Sequence, residues 1–463
     1  MKKALATILA LVMAIGLCSV SWATESELPT AVNGVIKLTG NATTAALQND
    51  ITYDLNGYTL TYSGSTHVVG VGKTLTFMDS SVTGNTRGGT LVLSGVTGTT
   101  AAINPQKDAT LKVSNITVTC NGSAFFPQGD AAEVDVTACD VTAPIYCVGT
   151  NAGSTDNYKV VIKLKDSTFV AAVQDGDNCA VMINVPGTLN IDNCTITGDR
   201  QAVLVRAGTA VITNSDIKTT GKFTDAATKY HSGAWSSGNE VPAAALTVGN
   251  YQNGQASAYL AEAKVTVTNT KLTAENGVPA IYTDANDTYK GDLTIGGDST
   301  VVTGEVMKGQ KADKTAVAVT GGTFSSYVSN YVAGDTPVAS FNDDTYYVGA
   351  GTIQNAAKNL SAGDQLVIMQ GTVILNDVPV GVTVANNGAG TVTVNGSGAI
   401  TEGNPYTVPA RYYYYNSTTT TTDTKTDNTK GSPKTFDAGI ALYVGMALTS
   451  AAGVAFVGKK RED

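Results

Sequence analysis

The chain has 463 residues, 14% of them charged, and a net charge of −9. That balance argues against a nucleic-acid partner, which needs a cationic face. Forty-nine Gly against two Trp and nine Phe imply many turns and thin layers rather than one thick core, on a weakly acidic chain suited to an extracellular surface.

Residues 1–23 read as a secretory signal peptide: Lys2 and Lys3, the apolar run 4–17, and the small-residue site at Ser21, Trp22 and Ala23. Removing it, and Cys18 with it, leaves Cys120, Cys139, Cys147, Cys179 and Cys194, an odd number that cannot all pair within one molecule. Residues 24–50 are expected to form an N-terminal cap and the first strands.

From 51 to 335 one short pattern keeps returning. Residues 191–197 (IDNCTIT), 212–218 (ITNSDIK) and 267–273 (VTNTKLT) show it most clearly. Copies at 55–61, 77–83, 113–119, 136–142, 164–170 and 319–325, with a looser one from Ile295, extend it. The pattern is apolar, polar, usually Asn, Gly or Asp, two free positions, apolar, and usually Thr. Most neighbouring copies are 21 to 28 residues apart with no helical periodicity between them. A repeat of that length holding two or three short strands stacks each strand on its equivalent one turn later, about 4.8 Å away, which is a parallel β-helix. Asn115, Asn193, Asn214 and Asn269 then mark a corner that needs left-handed backbone, and Asn193 and Asn214, on adjacent coils, are expected to hydrogen-bond as a ladder. A second strand series follows the motif, with Phe125, Ile145, Val181, Val203, Leu246 and Ile281 expected to point inward. Cys139 and Cys194 share one place in the repeat, but Ser167 holds that place between them. Two strand spacings, roughly 9 to 10 Å, are too far for a disulfide between them, so the cysteines read mostly as small core-filling thiols, with a bridge among Cys120, Cys147 and Cys179 left open.

One step is longer: Ile212 to Val267 spans 55 residues, read as about two coils. Within it, residues 220–242 hold no convincing strand and read as a protruding loop carrying Tyr230, His231, Trp235, Asn239 and Glu240. Aromatic faces beside polar groups suit sugar, which makes Tyr230, His231, Trp235 and Glu240 the candidate ligand contacts. No Cys/His spacing suggests zinc, and neither a phosphate loop nor a nucleophile elbow is present. Residues 340–409 read as a small β-rich unit or cap with one short helix at 353–360. Residues 410–431, Tyr- and Thr-rich, read as an extended linker. Ser432, Pro433, Lys434, Thr435, Phe436 and Asp437 precede a mostly apolar run and a basic tail (438–463), long enough to span a bilayer.

The repeat resembles the pectate-lyase-like right-handed parallel β-helix proteins, specifically the surface-anchored kind of Gram-positive anaerobes, over roughly residues 30 to 335. The C-terminus resembles a cell-wall sorting signal, with Pro433 and Thr435 matching and Phe436 standing where the family has Gly. That resemblance implies a sortase acting at the Thr435 carbonyl and joining it to peptidoglycan. Lyases of the β-helix family use a carboxylate-bound Ca²⁺ and an Arg or Lys base, and hydrolases a carboxylate pair. Asp175 and Asp177, with Arg200 and Arg206 one coil later, are the nearest approach to such groups, and none of the family's catalytic signatures surrounds them. The reading is therefore all-β, a surface-anchored adhesin or glycan-binding display protein without a resident cofactor or metal. Its expected partners are peptidoglycan, extracellular glycans or a host surface, and the membrane. The alternative is a surface polysaccharide lyase or glycoside hydrolase, for which Ca²⁺ would be the cofactor.

Overall fold

Short runs of alternating apolar residues, each closed by a residue that accepts left-handed backbone, dictate the architecture. In a computed structural model of the chain the described residues are 27–150, 159–172, 178–222, 242–249, 261–285, 289–309 and 315–410. They are all-β apart from one α-helix, Ala350–Lys358, and a single 3₁₀ turn, Ser329–Tyr331. Asp175, Asp177, Tyr230, His231, Trp235, Asn239 and Glu240 lie outside the described residues, as do the signal peptide, the linker, the sorting-like segment from Ser432 to Phe436 and the apolar tail. No helix among the described residues is long and apolar enough to cross a membrane.

The chain winds as a parallel β-helix. Eleven strands from Val35–Lys37 to Val317–Val319 form the first sheet, each pairing in parallel with its equivalent on the next coil. The second sheet starts at Ala42–Thr44 and follows the same order, one strand per coil. A third sheet has one block from His67–Val69 to Ser123–Phe125 and another from Cys179–Ile183 to Val306–Lys308, linked by Val148, which bridges Phe125 and Val181. Register stacks like on like. Leu164, Ile191, Ile212 and Val267 are direct partners in the first sheet, and Phe169, Ile196, Ile217 and Leu272 in the second. All eight are buried in one continuous core, each burial contributing on the order of 1.5–3 kcal/mol.

The corner between these sheets is left-handed at Asn115, Asp166, Asn193, Asn214 and Asn269, with φ between 50° and 59°. The amide ladder takes a different form from the one expected. Asn193 donates to the Asp166 carboxylate (2.6 Å) and Asn214 to that of Asp192 (2.9 Å), so each amide reaches back to a carboxylate on the preceding coil. The position after the corner is not free either. Cys139, Ser167, Cys194, Ser215, Thr270 and Thr300 stack there. The amides of Cys139, Cys194, Ser215 and Thr270 donate to the hydroxyl one coil on, at 3.0 to 3.4 Å, and the hydroxyls of Ser167, Ser215 and Thr270 donate to the backbone carbonyl two residues back. Cys139 and Cys194 are unpaired buried thiols in this column, and burial pushes them up to about 12 and about 11.

Three expectations are corrected. Ile212 and Val267 are register partners, so the 55-residue step is one coil. The copy at 77–83 breaks after Met78, and the strand that follows in its coil is Thr90–Leu93, because residues 79–89 make an excursion along the corner. Ile145 does not point inward: it packs outside, against Phe126, Tyr146 and Met182, and Val148 takes the inward place.

The second sheet continues past the last coil. Thr345–Val348 adds antiparallel to Gly322–Phe324, then Val338–Phe341, Gln365–Gln370, Thr383–Asn386 and Tyr406–Thr407 follow. Gln365–Gln370 with Thr383–Asn386, and Val373–Leu375 with Val392–Val394, are again parallel pairs over their own core of Ile353, Leu366, Val384 and Val394. By continuing the sheet, this region leaves a two-residue strand as the exposed edge, a small template for edge pairing.

Candidate functional site on the third sheet

The outward faces of the first and second sheets carry partly or fully exposed Thr, Lys and Asp, whereas the third sheet is buried on both faces along its regular strands. Register sets one outward row at Met182, Leu204, Thr247, Tyr282 and Met307. Two residues further along each strand a second outward row holds Asn184, Arg206, Gly249, Asp284 and Gly309. Asn184, Arg206 and Asp284 are each no more than 2% exposed, and Arg206 heads the largest fully buried side chains.

Each is fixed by its coil. Thr150 donates to the Asn184 side-chain oxygen (2.8 Å) and accepts from the Asn184 amide (2.8 Å). The Arg206 amide donates to Ile183 O (2.8 Å), and the Asp284 amide to Val248 O (2.9 Å). Asp284 Oδ1 also accepts from the Ala285 amide (2.9 Å). The Tyr282 hydroxyl and the Asp284 carboxylate both crowd the place a side chain at residue 309 would take, so glycine there leaves them room. Burial withdraws these groups from bulk water, which strengthens each hydrogen bond they make.

Arg200 stands at the other end of the same strand. It precedes Gln201–Val205 and Arg206 follows it, which puts them roughly 20 Å apart along extended chain. The structure does not bring them together. Arg200 belongs instead with Asn178 and Asp199: the Asn178 side-chain oxygen accepts from the amides of Asp199 and Arg200, both at 3.1 Å, and the Thr219 hydroxyl donates to both their carbonyls. Arg206 and Asn184 do sit one coil apart in the same row. Asp284 and Tyr282 were missed from the sequence, although continuing the inward–outward alternation past Ile281 points to both. Residues 220–242 precede the third-sheet strand Ala244–Val248 in sequence. Among the described residues, no three or more His, Cys, Asp or Glu side chains gather as a metal-binding group.

No family model matches the chain, and no curated protein matches it. Among solved structures it is similar to the Azotobacter vinelandii mannuronan C-5 epimerase AlgE4 A-module, with 10% identity, 65% of this chain and 90% of that one covered, and a TM-score of 0.18. So loose a likeness decides nothing about the site.

Proposed function

We propose that the protein is a surface-displayed, right-handed β-helical glycan-binding protein of adhesin type, holding sugar at the outward face of its third sheet. The observation that carries this reading is the outward row of Asn184, Arg206 and Asp284 with Tyr282 beside it. Amide, guanidinium, carboxylate and phenol stand at coil spacing on rigid strands; buried as they are, they form a fixed polar floor rather than direct contacts to sugar. Tyr230, His231, Trp235 and Glu240, just before the strand Ala244–Val248 in sequence, supply the aromatic contact in this reading. The purified chain should bind a subset of a glycan array, with Trp235→Ala weakening binding at least tenfold; unchanged binding would remove that stretch from the site. Attachment to peptidoglycan through Thr435 belongs to the same proposal, and wall-released fragments ending elsewhere would remove it.

Turnover of an acidic polysaccharide, as a lyase or hydrolase, is the second reading. A cation and a carboxylate, Arg206 and Asp284, share a row with only Gly249 between them, and as both are 1% exposed this reading requires that they be uncovered when polymer binds.

A further inference from the structure

An Asn–Gly pair carries a chemistry of its own. Glycine has no Cβ to hinder its nitrogen, which can close on the side-chain carbonyl carbon of the preceding Asn. The described residues hold six such pairs, at Asn33, Asn56, Asn121, Asn276, Asn387 and Asn395, and the fold treats them differently. Asn33, Asn56, Asn276 and Asn395 have φ between 48° and 62°. Left-handed backbone, with ψ about +47°, turns the next nitrogen to the side away from Cβ, where ring closure is hardest. Three of these side chains are also tied down: Asn56 donates to Leu38 O (3.0 Å), Asn276 to Thr220 O (3.2 Å) and Asn395 to Val378 O (2.8 Å). Asn121 donates to Ser94 O (3.4 Å), and a methyl group at Gly122 would strike Thr100 O, so that pair is held and crowded.

Asn387 escapes each of these restraints. It is exposed, it lies outside the left-handed region, and no hydrogen bond holds its side chain among the described residues. Gly388 has open space where a side chain would stand. The pair belongs to the loop between Thr383–Asn386 and Val392–Val394, which its neighbour fastens to the C-terminal unit. The Asn386 side chain, 8% exposed, donates to Gly390 O (3.2 Å) and Ile400 O (3.0 Å) and accepts from the Ala389 amide (2.9 Å).

We propose that Asn387 is where the folded protein modifies itself, by deamidation through a succinimide. The Gly388 nitrogen attacks the Asn387 side-chain carbonyl carbon, the bond to the side-chain nitrogen breaks, and that nitrogen leaves as ammonia with the Gly388 proton. Water then opens the ring at either carbonyl, giving aspartate or isoaspartate. Both products put a new carboxylate at this loop, and isoaspartate also lengthens the main chain by one carbon directly after Asn386. The reaction needs no ligand and is independent of glycan binding. To test it, the purified chain is incubated at mildly alkaline pH, folded and in denaturant, and all six sites are followed by peptide mapping with fragmentation, which reads the mass gain of about one dalton residue by residue. In the folded protein Asn387 should convert at least tenfold faster than any of the other five, and in denaturant the six rates should draw together, because only the shared Asn–Gly sequence then sets them. Asn387→Gln should remove the fastest conversion, since its longer side chain closes the ring far more slowly. Another of the six leading in the folded protein, or the same order and spread of rates in denaturant, would overturn the proposal.

Discussion

At the N-terminal end of the corner, two buried carboxylates gather the backbone amides of neighbouring coils. Asp79, 2% exposed, accepts the amides of Gly57 (2.7 Å), Gly89 (2.5 Å) and Ser81 (2.7 Å) and also the Ser81 hydroxyl. Asp54 accepts from the amides of Asn56 (3.1 Å) and Ser80 (2.9 Å), the Ser80 hydroxyl (2.6 Å) and Lys37 (3.2 Å). Burial pushes both carboxyls up, but the hydrogen bonds outweigh it and hold them below the usual range. A carboxyl whose folded pKa lies below its unfolded value stabilises the fold above that unfolded value. The stabilisation is lost as pH falls through the folded value. Melting temperature should therefore be nearly flat from pH 7 to 5 and drop below about pH 4. Asp79→Asn should lower it at neutral pH, because an amide nitrogen would face backbone donors, and should shallow the acid slope. An acid slope identical to the wild type would show that Asp79 does not carry the effect. This chemistry was hidden in the sequence, where Asp79 read as a turn residue. The thiol and hydroxyl column was half visible, since Cys139, Ser167 and Cys194 share one place in the repeat. What could not be seen was that each amide donates to the neighbouring coil's hydroxyl rather than the position being free.

Between elements, the excursion at residues 79–89 acts as a strap. Arg87 donates to the Asp140 carboxylate (3.1 Å) and to the carbonyls of Cys139 (3.3 Å) and Asp166 (2.8 Å), tying an excursion from one coil to the corners of two later ones. The Asn115 side chain closes it from the other side, donating to Gly84 O and Thr86 O. Arg87→Ala should destabilise the protein by about 2 kcal/mol in chemical denaturation, because it removes charged hydrogen bonds from a partly buried corner. Arg87→Lys should recover little, since a point charge cannot span three acceptors; full recovery would mean that charge alone matters. The strap explains why the coil from 77 was misread. Alternating apolar residues and a corner residue are local and leave a readable trace, as at 191–197, whereas the length of an excursion between two strands leaves none. The 55-residue step to Val267 fails for the same reason: nothing local says that Val267 sits directly beside Ile212. At Ile145 the alternation itself slips, because Pro144 and Gly149 interrupt the strand and leave Val148 alone to bridge both neighbouring coils.

Across the described coils, two exposed Thr-rich sheets and a third sheet buried on both faces along all but its first and last strands give the solenoid different sides. The fold was legible because stacking repeats one local rule eleven times. The candidate sites were less so. Arg206 was legible as a candidate, but Asp284 joins it only through register across Gly249, and Tyr282 comes beside them the same way. Both depend on which residues meet across coils, which no single repeat encodes. On the proposed function, this scaffold binds polysaccharide and leaves it intact. Its most direct test is to incubate the purified chain with polygalacturonate, polymannuronate and mucin glycans, with and without Ca²⁺, and to follow bound polymer and chain length together by mass spectrometry. Retention of polymer at unchanged length is the predicted result. Shortened or unsaturated products that disappear with Asp284→Asn would contradict it and make the protein an enzyme.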